Sequence, residues 1–265
     1  LLAGLALAAA AIAIGASGAT AQSEPPETLR IAGSNTVGAE LLPDLVNAFI
    51  ADKGWSVEPG AQPEGDARLS LSAAAEGEPQ LQIEIERLGS RTAFTALADG
   101  SAEIGMASRS IKAAERAALE SGSVDMRSED SEHVIALDGL AVAVSPENPI
   151  TTLTRRELAA VFSGEVDDWS AFGLPPAAIN VQARDDQSGT WDTFSSLALE
   201  PFGARLADRA TRHASNREMA RRLAADPAAI GCGPLAFAEE VKPLAVALEC
   251  GLVIAPDAFS VKAEE

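Results

Sequence analysis

The sequence is poor in positive charge. Only 20 of its 265 residues are Lys or Arg, against 39 Asp or Glu, and the formal net charge is −19. No basic run larger than Arg221-Arg222 relieves that deficit. A nucleic-acid partner, which needs a basic face to displace counterions, is therefore excluded. Metal ligands are equally scarce: His133 and His213 lie far apart, and Cys232 and Cys250 form no C-x-x-C, so no metal site is expected. Neither a P-loop nor H-E-x-x-H occurs, and no G-x-S-x-G comes with a paired His, which leaves hydrolase and nucleotide chemistry without its usual groups. Gly231-Cys232-Gly233-Pro234-Leu235-Ala236 fits G-x-G-x-x-A in form only, because Pro234 suits a phosphate turn poorly. No cofactor is expected. There is also no internal repeat or long low-complexity run to argue against a compact globule.

What remains is ample apolar material, 47% of the chain, enough for two lobes of about a hundred residues each. Residues 1–14 are an uncharged apolar run, followed by small residues and Ala19-Thr20-Ala21. That pattern reads as a signal peptide over 1–21, cleaved near Ala21, and predicts export to the periplasm; a retained anchor is the alternative. In an exported chain two thiols oxidise, so a Cys232–Cys250 disulfide worth about 3 kcal/mol is expected. The ending at Val261 to Glu265 reads as a chain cut short.

Strand-like and helix-like segments alternate, which predicts an α/β fold with parallel sheets. Thr28–Ala32 reads as a strand, Leu41 to Phe49 as a helix with Leu41, Leu42, Leu45, Val46 and Phe49 inward, and Leu81–Glu86 as a strand with one wet face. Val134 to Val144 reads as a strand crossing between lobes, and Thr154-Arg155-Arg156-Glu157 as a capping box. Residues 58–79 read as an excursion of strand and loop.

The most informative stretch is Arg184-Asp185-Asp186-Gln187-Ser188-Gly189-Thr190-Trp191-Asp192-Thr193-Phe194. It places Ser188, Gly189 and Thr190 at a helix N-terminus, where unpaired N–H groups and the helix dipole favour an anion. Gly189 admits close backbone approach, the hydroxyls add donors, and Arg184 offers a planar fork for an oxyanion. The plainer reading is that Ser188 or Thr190 caps the helix and Arg184 is an ordinary paired arginine. Three further hydroxyl-bearing turns recur at strand ends: Gly33-Ser34-Asn35-Thr36, Gly89-Ser90-Arg91-Thr92 and Ala107-Ser108-Arg109.

Together the four turns resemble the phosphate-binding proteins of ABC transporters, of the PstS type, from Thr28 to the Ile230-Gly231 segment. The string from Arg184 through Ser188-Gly189-Thr190 to Phe194 carries most of the likeness. The resemblance implies a two-lobe periplasmic-binding-protein fold of type II with the ligand cleft between lobes. Residues 28–138 plus 238–265 would form lobe one and 139–237 lobe two, with hinges near Asp138-Gly139 and Phe237-Ala238. It implies Ser34, Thr36, Ser90, Ser108 and Arg109 on one side of inorganic phosphate, and Arg184, Ser188, Gly189 and Thr190 on the other, with delivery to an ABC-transporter permease and no catalysis. Many phosphate binders carry Asp where this chain has Arg109; such an Asp accepts a hydrogen bond from protonated phosphate, and Arg109 accepts nothing. Sulfate, molybdate or a carboxylate therefore stands as the alternative ligand, with Asp185, Asp186 or Asp192 as substitute acceptors. A cell-envelope interaction protein, with peptidoglycan contact through a further C-terminal domain, is the other alternative.

Overall fold

The computed structural model describes residues 26–58, 63–64, 67–75, 78–121, 131–248 and 250–257. The expected signal peptide lies outside them. Among the described residues no helix is long and apolar enough to cross a membrane.

The first lobe is built on β1 (Glu27–Gly33), β2 (Ser56–Val57), β3 (Pro63–Glu64), β4 (Arg68–Ala75), β5 (Glu78–Glu86) and β6 (Ile104–Met106), in the order β2-β4-β5-β1-β6 with β3 on β4. Helices α1 (Asn35–Ala39), α2 (Leu41–Asp52), α3 (Ser90–Asp99) and α4 (Ala113–Ser121) surround it. β1 runs parallel to β5 and β6, so their C-terminal ends, with Gly33 and Met106, emerge on one edge. The alternation that makes Leu81 to Glu86 a strand sends Ile83 and Ile85 inward, where they meet Ile31, Leu71, Val46 and Ile50. Each such side chain contributes roughly 1.5–3 kcal/mol through burial. The excursion at 58–79 is largely β4 and its neighbours: β4 pairs antiparallel with β5 from Arg68↔Glu86 to Ala75↔Glu78.

The second lobe holds β7 (Leu140–Val144), β8 (Thr152–Thr154), α5 (Arg155–Ser163), β9 (Asn180–Arg184), α6 (Gly189–Phe194), β10 (Thr211–His213), α7 (Asn216–Ala225) and β11 (Ala229–Pro234). It is completed by β12 (Lys242–Pro243), β13 (Ala245–Ala247) and β14 (Val253–Ile254). One sheet runs β10-β9-β11-β7-β12, and a smaller one β14-β13-β8. Its core joins Val144, Val161, Phe162, Trp169, Val181, Phe194 and Ile230. α5 starts on the expected capping box: Thr154 Oγ1 accepts from Glu157 N at 3.2 Å, while the Glu157 carboxylate accepts from Thr154 N at 2.7 Å.

Four expectations need correction. The disulfide is not formed: Cys232 and Cys250 are free thiols, because Cys232 sits fully buried in the middle of β11 whereas Cys250 is exposed beside the β13–β14 turn. The strand expected over 134–144 begins only at Leu140, where β11 and β12 supply ladder partners; Val134, Ile135 and Leu137 are exposed. Residues 242–254 stay with the second lobe instead of returning to the first, since β12 pairs with β7 and β13 with β8. Helix α2 is also rotated from its expected face: Val46 and Ile50 are buried, while Leu41, Leu45 and Phe49 are exposed.

Candidate functional site

The four turns singled out in the sequence meet between the lobes, at the C-terminal edges of the parallel strands. That is where ligands of open α/β sheets bind. Gly33 ends β1 with φ +140°, and a Cβ there would lie 2.1 Å from the Met106 carbonyl oxygen, so the turn requires glycine. Ser34 then caps α1, its hydroxyl accepting from Val37 N at 3.3 Å. Its role is that of an N-cap. Thr36, one residue into α1, brings Oγ1 to 3.4 Å from Thr190 Oγ1 on the opposite lobe.

Ser90 opens α3 after Gly89, whose φ of +138° lets the backbone pass against Gln187 of the other lobe. The Ser90 hydroxyl accepts from Ser108 N at 3.0 Å and lies 3.2 Å from Ser108 Oγ. From the second lobe Gly189 comes so close that a Cβ on it would sit 2.3 Å from Ser90 Oγ and 3.0 Å from Ser108 Oγ. Ser188 caps α6 by accepting from Trp191 N at 3.2 Å. Ser188 thus caps the helix, as the plainer reading has it, while Gly189 and Thr190 face the first lobe.

Arg184, the last residue of β9, is 1% exposed. Its Nε donates to the His213 carbonyl oxygen at 3.0 Å, one Nη to the Ala214 carbonyl oxygen at 2.8 Å, and the other to Asn216 Oδ1. A guanidinium has five N–H donors, so two remain after these three bonds, enough for a bidentate grip on an oxyanion. Burial lowers its pKa from the ordinary value, opposed by Asp185, whose carboxylate approaches to 4.0 Å. Arginine stays protonated throughout. The site therefore offers one fixed, desolvated positive charge, linked through Asn216 to the Thr36 hydroxyl.

Arg109 is engaged by carboxylates of both lobes. Its Nε donates to Asp192 at 2.9 Å, its two Nη atoms donate to Glu115 at 2.8 and 2.6 Å, and its guanidinium lies 5.2 Å from the Phe94 ring centroid. Burial alone would lower the Arg109 pKa, but the two carboxylates outweigh it and raise it. Asp192 belongs to the second lobe and also receives Lys112 at 2.8 Å, so it ties the lobes together. Asp186 pairs with Arg212, and Asp185 accepts from Gln187 N at 3.2 Å.

Two residues that the sequence reading did not assign complete the arrangement. Asn216, buried at the start of α7, donates from its backbone N to Asn35 Oδ1 at 3.0 Å and from Nδ2 to Thr36 Oγ1 at 3.2 Å. Asn35 lies beside Thr36 in a turn already singled out, so its neighbourhood was legible. Asn216 had no such signal, because it enters the site through a helix start far along the chain. Among the described residues no group of three or more His, Cys, Asp or Glu is placed to hold a metal ion.

Residues 19–262 match the family model of the PBP superfamily domain. The chain belongs to the PBP superfamily. Its two α/β lobes are the type II periplasmic-binding-protein architecture. Among curated relatives it is 28% identical to the phosphate-binding protein PstS of Bacillus subtilis over 185 residues, 68% of this chain and 58% of the relative. It is 32% identical to PstS of Pseudomonas aeruginosa strain PAO1 over 133 residues, 46% of this chain and 40% of that protein. The chain thus spans less than two thirds of the length of these relatives. Among solved structures, a substrate-binding protein from Clostridium perfringens with bound phosphate superposes with a TM-score of 0.64 at 24% identity, covering 83% of this chain and 76% of the other. An ABC-type phosphate transport receptor from Vibrio cholerae gives 0.54 at 23% identity, covering 82% and 76%. At these identities the structural likeness speaks to the fold.

Proposed function

We propose that the chain is an exported, non-enzymatic solute-binding protein that captures inorganic phosphate between its lobes and presents it to an ABC-type permease. The observation that carries this reading is Arg184: a buried guanidinium with three donors fixed by protein acceptors and two left over, linked through Asn216 to Thr36, whose hydroxyl lies 3.4 Å from that of Thr190 on the opposite lobe. Such a group is costly to bury unless it meets an anion or its equivalent. The relatives' description as phosphate-binding proteins points the same way. Closure is the functional step. The contacts of Asp192 with Arg109 and Lys112, of Arg217 with Glu40 at 3.0 Å, and of Arg91 N with the Gln187 carbonyl oxygen at 3.2 Å would hold the closed form.

A second reading, another tetrahedral oxyanion, is favoured by the carboxylates. Asp186 and Asp192 are engaged by Arg212, Arg109 and Lys112, so neither is available as a dedicated acceptor for a ligand proton. Discrimination then rests on hydroxyls, which both donate and accept. Calorimetric titration of the mature chain with phosphate, sulfate and molybdate separates the readings. Phosphate tightest supports the first, and sulfate equal to phosphate supports the second.

A further inference from the structure

We propose that Asn216 is a positioning residue of the anion site, orienting Arg184 and Thr36 together and so coupling the charge of one lobe to a hydroxyl of the other. This rests on the reading that the cleft takes an oxyanion. Each polar group of Asn216 is used, and each in a different direction. Ser215 precedes it as the N-cap of α7, accepting from Glu218 N at 3.3 Å. The Asn216 N–H, one of the donors that a helix start leaves without an intrahelical partner, is satisfied across the cleft by Asn35 Oδ1 at 3.0 Å. Oδ1 accepts from an Nη of Arg184, and Nδ2 donates to Thr36 Oγ1 at 3.2 Å.

The chemistry of those two side-chain bonds sets what remains for a ligand. With Nε and one Nη held by the carbonyl oxygens of His213 and Ala214, the guanidinium is fixed on two sides; Asn216 closes the third. A planar fork has directional donors, so the third acceptor at Asn216 locks the plane in which the last two N–H groups are held. At Thr36, accepting from Nδ2 uses an oxygen lone pair and leaves the hydroxyl proton for a different acceptor, either Thr190 Oγ1 at 3.4 Å or an anion. The carboxamide is suited to both tasks because it carries an acceptor and a donor on one rigid plane. Asp would lack the donor, and Ser the reach.

The test is a double-mutant cycle read by calorimetry with inorganic phosphate. Asn216→Ala leaves a buried arginine donor without its acceptor and should weaken binding at least about tenfold. The same change made on a Thr36→Val background should cost several-fold less, since one of its two effects is already lost. A purely structural role would cost the same on both backgrounds, and equal losses overturn the proposal, as does unchanged affinity of Asn216→Ala. Thermal melting of each variant keeps a folding defect apart from a binding defect. If the wild-type chain binds none of phosphate, sulfate and molybdate, the oxyanion reading fails separately, and the ligand-free chain decides. Spin labels on the two lobes should then show a wider, broader distance distribution in Asn216→Ala than in wild type, and identical distributions overturn the coupling.

Discussion

Replacing Asp192 with Asn removes one carboxylate from a cluster in which the two lobes meet by charge. The wild-type group sits in the first turn of α6 and accepts from Arg109 Nε at 2.9 Å and Lys112 Nζ at 2.8 Å, with side-chain exposures of 15%, 7% and 49% in that order. Lys112 is half in water, and such a pair is worth about 0.2–1 kcal/mol. Arg109 is buried, but the change does not orphan it, because Glu115 of its own lobe still holds both Nη atoms. The loss therefore falls short of the roughly 3–5 kcal/mol of a buried charge stripped of its partner. About 2 kcal/mol is the working figure, equivalent to about a thirtyfold smaller closed-to-open ratio. Because Asp192 meets only cations of the opposite lobe, the effect belongs to closure. Stopped-flow release of phosphate should accelerate about thirtyfold with little change in association rate, and small-angle scattering should report a larger radius of gyration. The gap between variant and wild type should narrow as salt screens the exposed Lys112 arm. Unchanged release and unchanged dimensions would refute the reasoning.

Three other outcomes follow from named contacts. Gly189→Ala places a methyl 2.3 Å from Ser90 Oγ without asking for a strained backbone, so phosphate affinity should drop at least about tenfold while the melting temperature holds; an unaltered affinity would mean the lobes do not close as described. Thiol labelling of the native chain should modify Cys250 alone, with Cys232 reacting only after denaturation and without reductant; labelling that requires reduction first would restore the disulfide. His213, whose pKa is lowered from 6.5 chiefly by burial, binds protons less readily in the folded chain than in the unfolded one. Stability should therefore be lost as pH falls below about 6.5, and His213→Gln should remove part of that loss in denaturant titrations across pH.

Much of this was written locally in the sequence. The strand-to-helix turns at Ser34 and Ser188 follow from hydroxyl caps and the apolar runs on either side, α3 starts at Ser90 straight after Gly89, and the Thr154–Glu157 capping box is a feature of four adjacent residues. What escaped depends on contacts between distant segments. Arg109 has the chemistry of an anion ligand, and only the arrival of Asp192 from the other lobe turns it into a closing contact. Asn216 is an ordinary helix-start residue until Asn35, Thr36 and Arg184 are placed around it. The α2 stripe of Leu41, Leu45 and Phe49 has helical spacing equal to that of Val46 and Ile50, and periodicity alone does not say which stripe the sheet will cover. Two cysteines in a chain expected to be exported suggested a bond that the burial of Cys232 in β11 prevents.

The central claim is that a buried arginine between two lobes holds an oxyanion, and calorimetric titration of phosphate into wild type and Arg184→Ala tests it most directly. Loss of a buried charge-assisted contact costs about 2–5 kcal/mol. The account predicts saturable one-to-one binding by the wild-type chain and at least a tenfold weaker, or undetectable, response from the variant. Equal affinity in the two proteins would contradict it.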